Sequence, residues 1–300
     1  MPRTISFTID EKFDGVKIYD YLRQEAHLSY RLITTLKHQP LGILLNGTHA
    51  RIVDKLHTGG VLSVTLSDDE NLSSPSAIEV SIVYEDEDTL VYDKPPDMNC
   101  HQSRRDQNDT LANVFAAHCQ KNKLSALTFR CLNRLDKDTS GLVLLAKNQH
   151  AAARLKSGVE KEYTALVCGV PTPLQGTIEA PISRINEVYT KRQVAEGGQE
   201  ATTHYTVLAS AANNSYSLVR IHLLTGRTHQ IRVHMAYIGH PLAGDDMYGG
   251  STELIPRQAL HCHSMVFESP ITKNIVQAKA PLPEDIQKAV LIAKIYSHNE

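Results

Sequence analysis

The feature that most constrains this chain is an interruption. From Ser67 to Glu79 the sequence runs SDDENLSSPSAIE, acidic, serine-rich and broken by Pro75, which marks a connector rather than a packed element. A chain of 300 residues with 41% apolar content can bury a sizeable interior, and a break of this kind divides it into two globular units. The expected division is a small domain over 1–66, a linker over 67–79, a main domain over 80–290 and a C-terminal tail over 291–300. No internal repeat of 20 to 50 residues is present, which argues against a solenoid or propeller.

Charge follows the same division. The formal net charge is −2, yet Lys12 to Leu66 holds seven Lys/Arg against four Asp/Glu. Ser67 to Asp93 holds nine acids and no base, and Lys94 to Glu300 holds twenty-three bases against eighteen acids. A basic front, an acidic joint and a mildly basic body are compatible with a phosphate-rich partner, because such partners sense local fields rather than totals. The same counts also describe ordinary solvated faces. No run approaches the roughly 18 apolar residues of a membrane span, and the opening MPRTISFTIDEKFDG lacks a secretory apolar stretch. A cytoplasmic protein with no membrane partner is expected. Cys100, Cys119, Cys131, Cys168 and Cys262 are odd in number and form no C-x-x-C pair, so neither a disulfide framework nor a zinc site is indicated.

Before the linker, Gly15 to Lys37 carries two helical patterns, with Ser29 placed to cap the second. Gly42–Leu45 and Gly60–Leu66 read as strands, with Asn46-Gly47 supplying a tight hairpin turn. This helix, helix, hairpin unit, with Ser29-Tyr30-Arg31 and Leu45-Asn46-Gly47, resembles the small S-four RNA-binding domain. The resemblance implies RNA contacts from Arg31 and Lys37; Gly59-Gly60 stands where that pattern commonly has Gly-Asp. After the linker, strands are expected at 80–83, 89–92, 142–146, 163–168, 202–208 and 217–224, and a helix over 109–120 with Asp109 near its cap. The fold class expected is α+β, a mixed and mainly antiparallel sheet rather than a doubly wound parallel one.

Three segments can carry chemistry. In Asn133-Arg134-Leu135-Asp136-Lys137-Asp138-Thr139-Ser140-Gly141, an extended chain points Arg134 and Asp136 to one side, and a Thr-Ser-Gly turn feeds an apolar strand. Alone, such a pair fits a structural ion pair as well as a catalytic carboxylate. In Glu160-Lys161-Glu162-Tyr163, the tyrosine stands at a strand entrance, where packing is its ordinary role. The third, Gly226-Arg227-Thr228-His229-Gln230-Ile231-Arg232-Val233-His234, opens a helix for which Thr228 is a candidate cap, and Gly239 with Pro241 ends it. From Asn213 through Gly244 there is no acid, so the helix start with its flanking arginines suits an anion. A metal is not expected: His229 and His234 diverge by roughly 140° on a helix, and His261 and His263 share a strand face without a third ligand nearby.

In this order, Arg-Leu-Asp with Thr-Ser-Gly, then Glu162-Tyr163, then Gly226 to His234 with Gly-His-Pro and Gly244-Asp245 after it, the segments resemble the RluA family of pseudouridine synthases. Asp93-Lys94-Pro95-Pro96, Leu260-His261, Phe267 and Pro270 support the likeness. Asn133 stands where the family commonly has His. The resemblance implies an isomerase that converts uridine to pseudouridine in structured RNA, large-subunit ribosomal RNA first and transfer RNA as the alternative, without cofactor or metal and as a monomer. It further implies Asp136 as the essential carboxylate, Tyr163 as the aromatic against the target base, Arg232 as the cation paired with Asp136, and Arg134 as an aid to base displacement. Substrate contacts are also expected from Asn133, Arg227, His229 and Gln230. A noncatalytic RNA-binding protein on the same scaffold is the rival reading.

Overall fold

A computed structural model describes residues 3–66, 72–103, 107–124, 127–186 and 190–295. Residues 67–71 of the expected linker and 296–300 of the expected tail lie outside the described residues.

The first unit is a four-stranded antiparallel sheet faced by two helices. In chain order it comprises β1 (Arg3–Thr8), α1 (Ile18–Gln24), α2 (Tyr30–Leu36), β2 (Ile43–Leu45), β3 (Thr48–His49) and β4 (Val61–Leu66), with strand order β1-β4-β2-β3. The Ser29 hydroxyl accepts the Leu32 N–H at 3.1 Å and so caps α2. Asn46 and Gly47 take φ of 51° and 80° at the β2–β3 turn, the left-handed pair a tight hairpin needs. Ile18, Leu22, Leu32, Ile33, Leu36, Ile43 and Leu62 form the interior, each aliphatic burial worth about 1.5–3 kcal/mol. β1 turns Ile5 and Phe7 toward this interior and its other residues outward. It is held by its register with β4 and by paired hydroxyls, Thr4 with Thr65 at 3.1 Å and Ser6 with Ser63 at 2.9 Å.

The second unit follows as β5 (Ile82–Glu85), β6 (Thr89–Lys94), α3 (Leu111–Lys121), β7 (Arg130–Cys131), β8 (Ser140–Ala146), α4 (Gln149–Arg154), β9 (Glu160–Cys168), β10 (Gln175–Glu179), β11 (Ile182–Arg184), β12 (Arg192–Val194), β13 (Thr202–Ser210), β14 (Tyr216–Leu223), α5 (Gln230–Tyr237), β15 (Leu260–Glu268), β16 (Ile275–Lys279) and α6 (Glu284–Ile292). The large sheet runs β10-β13-β14-β9-β15-β8-β6-β5, with β16 on β15 and β7 on β8, while β11 and β12 form a separate hairpin. Among the described residues one pairing is parallel, β8 with β15, where His261 lies opposite Ser140 and Cys262 opposite Gly141. The fold is α+β with a mainly antiparallel sheet, as alternation predicts. That parallel crossing explains the glycine of Thr-Ser-Gly: Gly141 has φ of 111°, and a Cβ there would fall 2.3 Å from the Cys262 carbonyl oxygen.

Local boundaries differ from the sequence reading in instructive ways. α3 is capped by Thr110, whose N–H and hydroxyl both donate to Asn113 Oδ1, at 3.1 and 2.6 Å. Asp109 instead accepts the Ser76 hydroxyl at 2.7 Å, and the Asn113 amide donates to the Ser74 carbonyl. Residues 74–76 are thereby fastened to the start of α3 rather than left as open connector. The two units also meet directly: the Arg3 guanidinium reaches Asp88 at 3.2 and 3.3 Å and Glu87 at 2.8 Å, and Ile271 packs on the first unit's interior. Among the described residues no helix is long and apolar enough to cross a membrane.

Candidate active site

The loop that carries Asp136 lies between β7 and β8, and its backbone is gripped from several sides. The Lys94 ammonium, fully buried, donates to the carbonyls of Pro95, Met98 and Lys137 at 2.8, 2.8 and 3.0 Å. Arg257 Nη1 donates to the Asp138 carbonyl at 2.8 Å, and Thr139 N–H closes a turn onto the Asp136 carbonyl at 3.1 Å. Leu135 is buried, so its neighbours Arg134 and Asp136 face the other way, into one cleft. Asn133 behaves differently from expectation. Its amide donates to the Leu142 carbonyl at 3.0 Å and its oxygen accepts the Leu144 N–H at 2.8 Å, so both ends of the side chain hold the loop to β8 instead of facing substrate.

Arg232 lies in the first turn of α5 and points inward. Its Nε and Nη2 donate to the two oxygens of Asp245 at 2.7 and 2.8 Å, and Nη1 donates to Asp136 Oδ2 at 3.2 Å. Burial works against the guanidinium charge, but hydrogen bonds and charge from Asp245, then from Asp136, outweigh it and raise its pKa. The Asp245 side chain is fully buried, so Arg232 is neutralised by Asp245 and presents its remaining N–H edge to Asp136. The two-oxygen fork fixes the guanidinium plane.

The entry to α5 also departs from the sequence reading. Thr228 is exposed and does not cap the helix; His229 occupies that position with φ of 58°. Gln230 ties the turn instead. Its Oε1 accepts Arg227 N–H and the Thr225 hydroxyl at 2.9 Å each, and its Nε2 donates to Thr202 O and Thr203 Oγ1 at 3.0 Å each. Although Gln230 lines the cleft, its amide is wholly engaged in structure. Arg227 is exposed at the rim with its Nε on the Glu200 carbonyl at 3.0 Å. His229 is turned inward, with Nε2 3.8 Å from Asp136 Oδ2 and Nδ1 3.0 Å from the Tyr248 hydroxyl. Burial pushes its pKa below the usual histidine range; Asp136 opposes the shift, and Arg232 and Arg192 add to it.

Tyr163 closes the cleft from β9, paired with Ile221 of β14 and Cys262 of β15. It is buried, and burial raises its phenol pKa well above the ordinary value. The cleft opens to solvent and is lined by Arg134, Asp136, Tyr163, Arg227, His229 and Arg232 among others. Arg31 and Lys37 sit elsewhere, on the first turn and at the C-terminal end of α2.

The remaining histidines hold no metal-like arrangement. His234 is buried between Thr203 Oγ1 and the Ala180 carbonyl, both at 2.9 Å. A bulge in β15 separates His261, which faces Ser140, from His263, which faces Glu162 and Thr164. Among the described residues no group of three or more His, Cys, Asp or Glu is placed to hold a metal ion. The sequence reading passed over Asp245 and Tyr248 as site residues. A signal for the first was present: a buried Arg232 inside an acid-free run needs a counter-charge, and Asp245 is the first acid after that run.

Comparison with known proteins gives the family. Residues 88–237 match the family described as RNA pseudouridylate synthase. The chain is 37% identical over 294 residues to a Bacillus subtilis protein named uncharacterized RNA pseudouridine synthase YhcT, covering 95% of this chain and 96% of that one. It is 36% identical over 263 residues to the ribosomal large subunit pseudouridine synthase D of Pseudomonas aeruginosa, covering 81% of each. The solved structure of human RNA pseudouridylate synthase domain containing 1 superposes with a TM-score of 0.55 at 26% identity, covering 74% of this chain and 98% of that chain. The chain belongs to the RNA pseudouridine synthases, of the RluA type its motifs resemble. It is therefore an isomerase that acts on RNA, which sets aside the noncatalytic reading.

Proposed function

We propose that this enzyme isomerises uridine in large-subunit ribosomal RNA and that Asp136 is its catalytic carboxylate. The observation that carries the assignment is the contact of Arg232 Nη1 with Oδ2 of Asp136 in a cleft that also holds Tyr163. The ribosomal substrate is supported by relatives from Pasteurella multocida, Pseudomonas aeruginosa and Vibrio cholerae, each named ribosomal large subunit pseudouridine synthase D and 36–37% identical.

The reaction breaks the bond from ribose C1′ to uracil N1, turns the base, joins C1′ to C5, and removes the C5 proton while N1 gains one, with no net redox change. Asp136 serves either by attacking C1′ or by taking a neighbouring ribose proton. Arg232 holds one oxygen of the carboxylate and fixes its position. Tyr163 stacks on the uracil or assists proton removal at C5. Uridine in a folded RNA must leave its stack first, and Arg134 at the exposed rim fills the space it vacates. The first unit, S-four-like in its motifs, adds backbone contacts through Arg31 and Lys37.

Site-resolved pseudouridine mapping of ribosomal and transfer RNA, in cells with and without the gene, tests both parts. Loss of pseudouridine at a large-subunit site, restored by wild type but not by Asp136→Ala, is the expected outcome. Loss confined to transfer RNA would overturn the substrate, and rescue by Asp136→Ala would overturn the residue.

A further inference from the structure

One tight turn serves both basic side chains that face Asp136, Arg232 and His229. Asp245 and Tyr248 are its ends, joined by the Tyr248 N–H to the Asp245 carbonyl at 3.1 Å. Asp245 holds Arg232 by its two oxygens, while the Tyr248 ring lies 5.0 Å from the Arg232 guanidinium carbon and edge-on to the His229 ring. The Tyr248 hydroxyl bridges two groups: it accepts the backbone N–H of Arg192 at 2.8 Å and meets His229 Nδ1 at 3.0 Å.

That bridge determines where the histidine proton sits. A phenol oxygen that accepts one N–H has its own proton left to donate, and His229 Nδ1 is the acceptor within reach. Nδ1 is then unprotonated and the ring proton resides on Nε2, which faces Asp136 Oδ2 at 3.8 Å. The opposite tautomer would turn a nitrogen lone pair toward a carboxylate. Burial raises the Tyr248 pKa, so the phenol keeps the proton this requires.

We propose that Tyr248 is a positioning residue that fixes His229 as the Nε2–H tautomer, so that His229 and Arg232 both address Oδ2 of Asp136 and leave Oδ1 as the oxygen that meets the ribose. This rests on the assignment of Asp136 as the catalytic carboxylate. The Arg232 contact is already a hydrogen bond, and a closure of under 1 Å makes the His229 contact another. With one carboxylate oxygen held, the reactive lone pairs of the other are aimed.

The charged groups facing His229 are Asp136 from the catalytic loop, Arg232 from α5, Arg192 from β12 and Asp245 from the turn. Tyr248→Phe keeps the ring over Arg232 and deletes the donor. Nδ1 then offers a free lone pair and the imidazole gains a proton more readily, so protonation of His229 sets the acid limb of the kcat profile. The acid limb of the kcat profile is expected to move to higher pH by about one unit, with kcat down by about tenfold or more and KM for RNA within about twofold. In a His229→Gln background, which has no tautomer to fix, Tyr248→Phe is expected to add little further loss.

The direct measurement is long-range proton–nitrogen NMR of wild-type protein labelled at histidine nitrogens, with His229 assigned from the His229→Gln spectrum. A protonated Nε2 and bare Nδ1 are expected; a protonated Nδ1 overturns the proposal, as does an unmoved acid limb in Tyr248→Phe. Activity retained by Asp136→Asn would instead overturn the carboxylate assignment, and the NMR result separates the two failures.

Discussion

His261 shows at the residue scale how a buried titratable group ties the active-site loop to pH. It sits at the parallel crossing of β8 and β15, with Nδ1 on the Ser140 hydroxyl at 3.0 Å and Nε2 near the Ala280 carbonyl at 3.4 Å. Burial pushes its pKa down from 6.5 to about 4. The folded state therefore binds fewer protons than the unfolded state between these values. The stabilisation is complete above the unfolded pKa and is lost as pH falls toward the folded one, to the extent of up to about 3 kcal/mol. His150, likewise buried and also lowered to about 4, acts in the same direction. Urea midpoints measured at several pH values should fall between about pH 6.5 and 4, and His261→Gln should flatten that slope. An unchanged slope in the variant would mean that His261 takes no part in it.

At the scale of the element, the loop that carries Asp136 is tied to β8 by both ends of one amide, that of Asn133. Asn133→Ala removes two hydrogen bonds to β8 and leaves the Leu142 carbonyl and Leu144 N–H without these partners, at a cost of about 1–3 kcal/mol. Hydrogen exchange should speed up at Leu144, and kcat should fall more than RNA affinity does, because the loop aims Asp136. Sequence patterning reached β8, β9, β13 and β14, where long buried runs or clean alternation dominate. It did not reach β10 to β12, which are short, and in β15 it put His261 and His263 on one strand face, which the bulge after Cys262 parts. The cap of α5 escaped for another reason. Gln230 stabilises the turn by accepting from Arg227 behind it, and no propensity for Thr at a cap anticipates a left-handed His229. Asp136, Tyr163 and Arg232 were legible as residues, while Asp245 and Tyr248 needed the turn between α5 and β15 to be folded against them.

At the scale of the whole molecule, the base-free acidic segment from Ser67 to Asp93, which contains the linker, also joins the two units. Asp88 belongs to that stretch, accepts from both Arg3 and Asn148, and is nearly inaccessible to solvent, so the acids that read as a solvated joint include a buried anchor. Net charge concealed this, since it records neither position nor burial. The first sheet is complete within residues 3–66, whereas the active site is assembled from residues far apart in the chain. Ser140 and His261, which meet where β8 runs beside β15, are 121 residues apart. During synthesis the first unit can fold early, but β15, beside which β8 lies, emerges long after it. A chain stopped before Leu260 is expected to protect residues 3–66 from protease while leaving 130–146 open to cleavage and yielding no pseudouridine. Equal protection of both regions would show that β8 settles without its parallel neighbour. An enzyme built this way is expected to stay inert toward the RNA around it until β15 has left the ribosome.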